Sequence, residues 1–148
     1  DAFLAQISAD RVERFKSGAV TEIPVVAPPG QPSVLAAPDA WDWFQKTGAA
    51  IAPSWRNAVT LESLEKMLEY DPPGAIELIS PTPLLVIGAK GDSLIPIEQL
   101  RAAVARAGEP KRYLELDCGH FDVYDTAPFF ESAAGAATDW FRQHLRPG

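Results

Sequence analysis

The sequence predicts an α/β fold: residues 75–148 supply a β-α-β-α unit built on two adjacent parallel strands, and residues 1–74 form a mainly helical segment. Two observations carry this. Pro83-Leu84-Leu85-Val86-Ile87-Gly88 is an unbroken apolar run of strand length, the pattern of a strand covered on both faces in a parallel sheet. It is followed by a helical stripe, a second strand and a final helix, an order that calls for a right-handed crossover between parallel neighbours. The two segments are divided by Pro72-Pro73-Gly74, a cluster that interrupts regular structure.

Taken in order, Phe3, Leu4, Ile7, Val12 and Phe15 recur at helical spacing, and Gly18 is placed to stop that helix. From Ile23 to Pro38 the chain holds Pro24, Pro28, Pro29, Pro32 and Pro38, which remove backbone donors and predict an irregular connection held by Val25, Val26, Val34 and Leu35. A short aromatic helix follows, with Asp39 near its start and Trp41, Trp43 and Phe44 close together. Their rings, with that of Trp55, are expected to serve ordinary packing. Thr60 precedes Leu61, Leu64, Met67 and Leu68, which marks a further helix with a capping residue. In the second segment the Pro83–Gly88 strand leads to a stripe of Ile97, Leu100, Ala103 and Val104 ending near Gly108, then to a strand over Arg112–Leu116. The last helix spans Phe129–Leu145, with Ala133, Ala137, Trp140, Phe141 and Leu145 as its inner face. Two parallel strands make a poor sheet alone, so these strands are expected to continue a larger one.

Composition sets the functional bounds. With 148 residues, 47% hydrophobic and 22% charged, the chain can bury a core, and no apolar stretch approaches the ~20 residues of a membrane-spanning helix. The net charge of −7, without a basic cluster, removes the electrostatic footprint of a nucleic-acid binder. A single cysteine, Cys118, forms no internal disulfide and favours a reducing, cytoplasmic compartment. The chain opens at Asp1 without a methionine or a signal-peptide pattern, which leads us to expect further residues upstream.

In open α/β sheets functional groups lie just beyond the carboxyl ends of the strands. The loop Gly88-Ala89-Lys90-Gly91-Asp92-Ser93 sets a carboxylate after the first strand, and Asp117-Cys118-Gly119-His120-Phe121 sets an imidazole after its neighbour. Asp92 and His120 are expected side by side, where the carboxylate fixes the tautomer of the ring and makes it a general base. Taken singly, Asp92 also reads as a turn residue and His120 as a packed loop histidine; after consecutive parallel strands the pair reads as of catalytic-triad origin, which is not the same as present activity. Cys118 and Ser93 are discounted as nucleophiles, the first because nothing local lowers its pKa and the second because it lacks a strand-to-helix turn. Asp117, Asp122 and Asp125 read as solvated surface and not as metal ligands. His144 is expected at the end of the last helix, where a partly positive ring is favourable.

The segment from Pro83 through His120, with Gly-x-x-x-Asp-x-x-x-Pro after one strand and Gly-His after the next, resembles the acid and histidine loops of the α/β-hydrolase superfamily. Gly119-His120-Phe121-Asp122-Val123-Tyr124 and Ala137-Thr138-Asp139-Trp140-Phe141 are similar, more narrowly, to the dienelactone-hydrolase and acyl-peptidase-like groups, whose relatives include fungal polyketide transferases or thiohydrolases. The likeness covers the last half of the chain well and the first half, around Trp55-Arg56-Asn57, more loosely. It implies the carboxyl-terminal part of an α/β-hydrolase fold, residues 1–74 as a cap or excursion, Asp92 as triad acid and His120 as triad base. The family's nucleophile sits in a Gly-x-Ser-x-Gly turn upstream of the acid, and that motif is absent from the sequence. The resemblance therefore implies a serine hydrolase of a small-molecule acyl substrate that needs no cofactor. Its serine and oxyanion hole would come from an amino-terminal hydrolase half or a second chain. The rival expectation is a non-catalytic association module derived from a hydrolase.

Overall fold

The structure is a computed structural model that describes residues 2–145. The chain forms two compact units, one ending at Asp71 and the other beginning at Pro72.

The first unit opens with α1 (Ala2–Ser17), which stops at Gly18, where φ of +70° suits glycine and the Gly18 N–H donates to the Arg14 carbonyl. β1 (Glu22–Ile23) pairs antiparallel with β2 (Val59–Thr60). The intervening proline-rich stretch is more ordered than its prolines suggest. Val26 is fully buried, bridges to Leu35, and has both its backbone groups satisfied by the Asn57 amide at 3.0 and 2.8 Å. α2 (Pro38–Ile51) has Asp39 in its first turn, and the Phe44 ring packs against Trp43 and Trp55 at centroid distances of 5.1 and 5.0 Å. α3 (Leu61–Glu69) is capped by Thr60, whose hydroxyl accepts the Ser63 N–H at 3.1 Å.

The helices are where periodicity placed them, but their inner faces differ. On α3, Leu61 is buried while Met67 and Leu68 are exposed, and Glu65 takes an inner position instead. It is tolerated there because Arg11 and Arg14 of α1 both bind it; burial disfavours its charge, and the two guanidinium groups overcome that and hold its carboxyl below the usual range. On α1, Ile7 is buried beside Asp10, while Leu4, Val12 and Phe15 are exposed.

The second unit begins with a 3-10 helix (Pro72–Ile79), then β3 (Leu84–Gly91), α4 (Ile97–Arg106), β4 (Lys111–Gly119), a short α5 (Asp122–Asp125) and α6 (Phe129–His144). β3 and β4 are parallel, from Leu84 opposite Lys111 to Gly91 opposite Gly119, with an irregularity between Ala89 and Gly91. Ile76, Ala103 and Ala107 form a small core against Leu84. Arg101 of α4 grips Glu115 of β4 through two hydrogen bonds of 2.7 Å, which holds the Glu115 carboxyl down to about 2.

Three expectations need correction here. Both strands run further than their apolar runs, through Gly91 and Gly119, because ladder pairing continues past the hydrophobic residues. β3 is less deeply buried than expected: Leu84 to Ile87 are half-buried and only Gly88 and Ala89 are buried, and among the described residues the sheet holds β3 and β4 alone. Similarly, α6 buries Ala136 and Trp140, while Phe141 and Leu145 of the expected inner face are exposed.

Candidate functional site

Parallel pairing brings the carboxyl ends of β3 and β4 to one edge, so the residues that follow them are forced together. A Cβ on Gly91 would lie 3.1 Å from the Cys118 carbonyl oxygen; glycine lets the strand ends approach this closely. Asp92 follows β3 directly and His120 follows β4 directly. The His120 Nδ1 lies 2.8 Å from Asp92 Oδ2. The other carboxylate oxygen, Oδ1, accepts the backbone N–H groups of Leu94 and Ile95, each at 2.8 Å. Both side chains are largely withdrawn from solvent, at 7% and 18% exposure for Asp92 and His120.

Those partners decide the charge state. Burial pushes the Asp92 carboxyl up, but the Ile95 N–H, the His120 ring and the Leu94 N–H outweigh it, and its pKa lies below the usual carboxylate value. A carboxylate that accepts at Oδ2 draws the ring proton to Nδ1, leaving a lone pair on Nε2.

The loop after β4 is shaped by Asp122, whose Oδ2 accepts the Gly119 N–H at 2.7 Å. This starts α5, where the Tyr124 N–H donates to the Phe121 carbonyl and the Thr126 N–H to the Asp122 carbonyl. The turn sets Phe121 edge-on to His120 at 4.8 Å and brings the Tyr124 hydroxyl to 3.4 Å from His120 Nε2. Asp92, His120 and Tyr124 line a cavity of about 450 Å³ whose walls are apolar, among them Ile87, Val123, Phe130 and Ala137.

The remaining candidates fall outside this arrangement. Cys118 is buried in β4, and burial together with the carboxylates of Asp122, Asp117 and Asp92 pushes its thiol up, away from a reactive thiolate. Ser93 lies in the bend after β3, well before α4 begins at Ile97. His144 closes α6 with its ring against Trp140 at 4.1 Å. Among the described residues no group of histidine, cysteine and acidic side chains could hold a metal ion, and no helix is long and apolar enough to cross a membrane. Sequence reasoning brought Asp92 and His120 to one edge but left Asp122 as solvated surface and gave Tyr124 no role. An aspartate three residues beyond the end of a strand, able to reach back to a free N–H, was the available signal for Asp122.

No protein-family model matches the chain. Over 81 residues it is 40% identical to an uncharacterized 31.7 kDa protein of the traX-finO intergenic region of Escherichia coli, a match covering 53% of this chain and 27% of that protein. Its fold is similar to that in the structure of DcsB in complex with its substrate analogue, with a TM-score of 0.80 at 24% identity over 98% of this chain and 50% of that one. The α/β hydrolase GrgF from Penicillium sp. sh18 aligns with a TM-score of 0.75 at 20% identity over 97% of this chain and 49% of that one. The chain therefore carries part of an α/β-hydrolase fold. It matches about a quarter of the curated relative's length and about half of each solved chain.

Proposed function

We propose that this chain is the carboxyl-terminal half of a serine hydrolase that acts on an ester, thioester or related acyl bond. The serine is supplied from outside these residues, by an amino-terminal part of the same polypeptide or by a second chain. The observation that carries the reading is the 2.8 Å contact of Asp92 with His120 at the carboxyl ends of adjacent parallel strands. In this role His120 Nε2 takes the serine proton as the serine oxygen attacks the acyl carbon, and Asp92 stabilises the imidazolium that results. The ring then returns that proton to the leaving group, and water or another acceptor resolves the acyl-enzyme by the same route. A cavity of about 450 Å³ is of the size that small-molecule sites use, and its apolar walls suit an acyl chain.

The test is hydrolysis of a panel of p-nitrophenyl esters and acyl thioesters by the complete polypeptide that contains this chain. His120→Gln should lower kcat by about a thousandfold or more with little change in KM. A complete, folded protein whose activity is indifferent to His120→Gln would sink the proposal and favour the association module.

A further inference from the structure

We propose that the first unit holds a binding site for an uncharged, mainly apolar small molecule that carries one hydrogen-bonding group, such as an alcohol, an ester or an amide. This site is independent of the role proposed for His120. A cavity of about 430 Å³ lies within the unit, walled by α1, by β1 with the proline-rich stretch that follows it, and by the start of α3. That volume falls in the range of small-molecule sites, which combine apolar walls with a few polar groups. Leu61 is fully buried against the cavity, and Ile23 and Leu64 are half-buried. The Gln6 amide and the Ser33 hydroxyl are the polar side chains among its lining residues.

The walls are tied to one another. Arg14 of α1 binds Glu65 and Glu62 of α3 at 2.5 and 2.8 Å. The Leu61 N–H donates to the Thr21 carbonyl at 2.8 Å, and the Val34 and Leu35 N–H groups donate to the Pro24 and Val25 carbonyls at 3.1 and 2.8 Å. A ligand therefore enters a space whose walls already stand in place, and the cost of ordering them is met by folding. Charge then selects the ligand. Among the described residues that line the cavity, none carries an ionisable side chain. Arg11 and Arg14 are committed to Glu65, and Arg14 also to Asp10 and Glu62. An anionic ligand would give up its hydration without gaining a cation from the lining, and a cationic one without gaining a carboxylate. The chain's net charge of −7 adds to the penalty for an anion. A neutral molecule avoids both costs. The Ser33 hydroxyl directs its proton to the Leu35 carbonyl at 3.2 Å, so the Gln6 amide is the lining side chain that offers both a donor and an acceptor.

The probes are n-octanol and octanoate, which share an apolar chain and differ in the charge of the head group. Each would be titrated into the complete polypeptide that contains this chain, with isoleucine, leucine and valine methyl groups labelled with ¹³C. Octanol should shift the methyl resonances of Ile23, Leu61 and Leu64 saturably, and should bind about tenfold or more tightly than octanoate, whose head group has to shed its hydration. Gln6→Ala, a change on the exposed side of a helix, should weaken octanol binding about two- to tenfold, the range one hydrogen bond implies. Leu64→Trp, which fills the cavity, should abolish binding, with the urea midpoint read alongside to show that the variant still folds. The proposal is overturned if the methyl groups of these three residues do not shift, or if octanoate binds as tightly as octanol. It is equally overturned if the shifts fall only at Ile87 and Val123 of the second unit, or if Gln6→Ala leaves the affinity unchanged.

Discussion

Replacing Asp92 by asparagine keeps the shape of the side chain and removes its charge, which separates the two tasks this residue performs. Its carboxylate accepts from Leu94, Ile95 and His120, all at 2.8 Å. Hydrogen bonds to a charged acceptor contribute about 1.5–3 kcal/mol each against about 0.5–1.5 for a neutral one. Asparagine can keep its oxygen on the two backbone N–H groups, so the loss should be about 1–3 kcal/mol at neutral pH, whereas Asp92→Ala, which leaves three donors without an acceptor, should cost about 3–5 kcal/mol. The amide NH₂ of the asparagine would then face Nδ1 as a donor and drive the ring proton to Nε2, the wrong tautomer for a base. Under the proposed function, this swap in the complete polypeptide should lower kcat on the order of 10⁴-fold. The pH dependence has a defined sign. Because the folded-state pKa of Asp92 lies below its ordinary value of 3.8, its stabilisation is fully present above that value and is lost as the pH falls through the lower, folded one. Urea unfolding followed by circular dichroism should show a gap between wild type and Asp92→Asn at neutral pH that closes in strong acid. A gap that is absent at neutral pH, or that persists unchanged into strong acid, would refute this account of the site.

Two further outcomes follow from the packing. A Cβ on Gly88 would lie 2.8 Å from Ile97 Cδ1 and 3.1 Å from both Leu100 Cδ1 and the Tyr113 hydroxyl, so Gly88→Val should destabilise the chain by about 1–3 kcal/mol, read as a lower urea midpoint. Asn57→Ala should cost about 1–3 kcal/mol by the same assay and speed amide exchange at Val26, whose buried N–H and carbonyl would both lose their partner.

Local signals carried much of this fold. The start of α3 was readable because Thr60 is a side-chain cap, and the end of α1 because Gly18 adopts a positive φ. The strand order, and with it the meeting of Asp92 and His120, followed from an apolar run, a helical stripe and a second strand. What escaped was set by partners distant in sequence. Glu65 takes an inward place because Arg11 and Arg14, about fifty residues away, neutralise it, and hydropathy alone assigns such a position to Met67 or Leu68. The two-residue strands β1 and β2 are too short for any periodicity to announce them. The half-buried state of β3 could not be read either, since an apolar run does not report how much of a strand its neighbours cover. Tyr124 acquired its place through a backbone turn set by Asp122, and the aspartate's position past the strand does not by itself say which side chain that turn brings to His120.

The central claim is that Asp92 and His120 serve a serine that lies outside these 148 residues. The complete polypeptide would be treated with a fluorophosphonate probe and the modified peptide located by mass spectrometry. A single labelled serine in a Gly-x-Ser-x-Gly turn beyond this chain, with labelling abolished by His120→Gln, is the predicted result. No labelled serine in a folded, complete protein, or labelling that His120→Gln leaves undiminished, would contradict it.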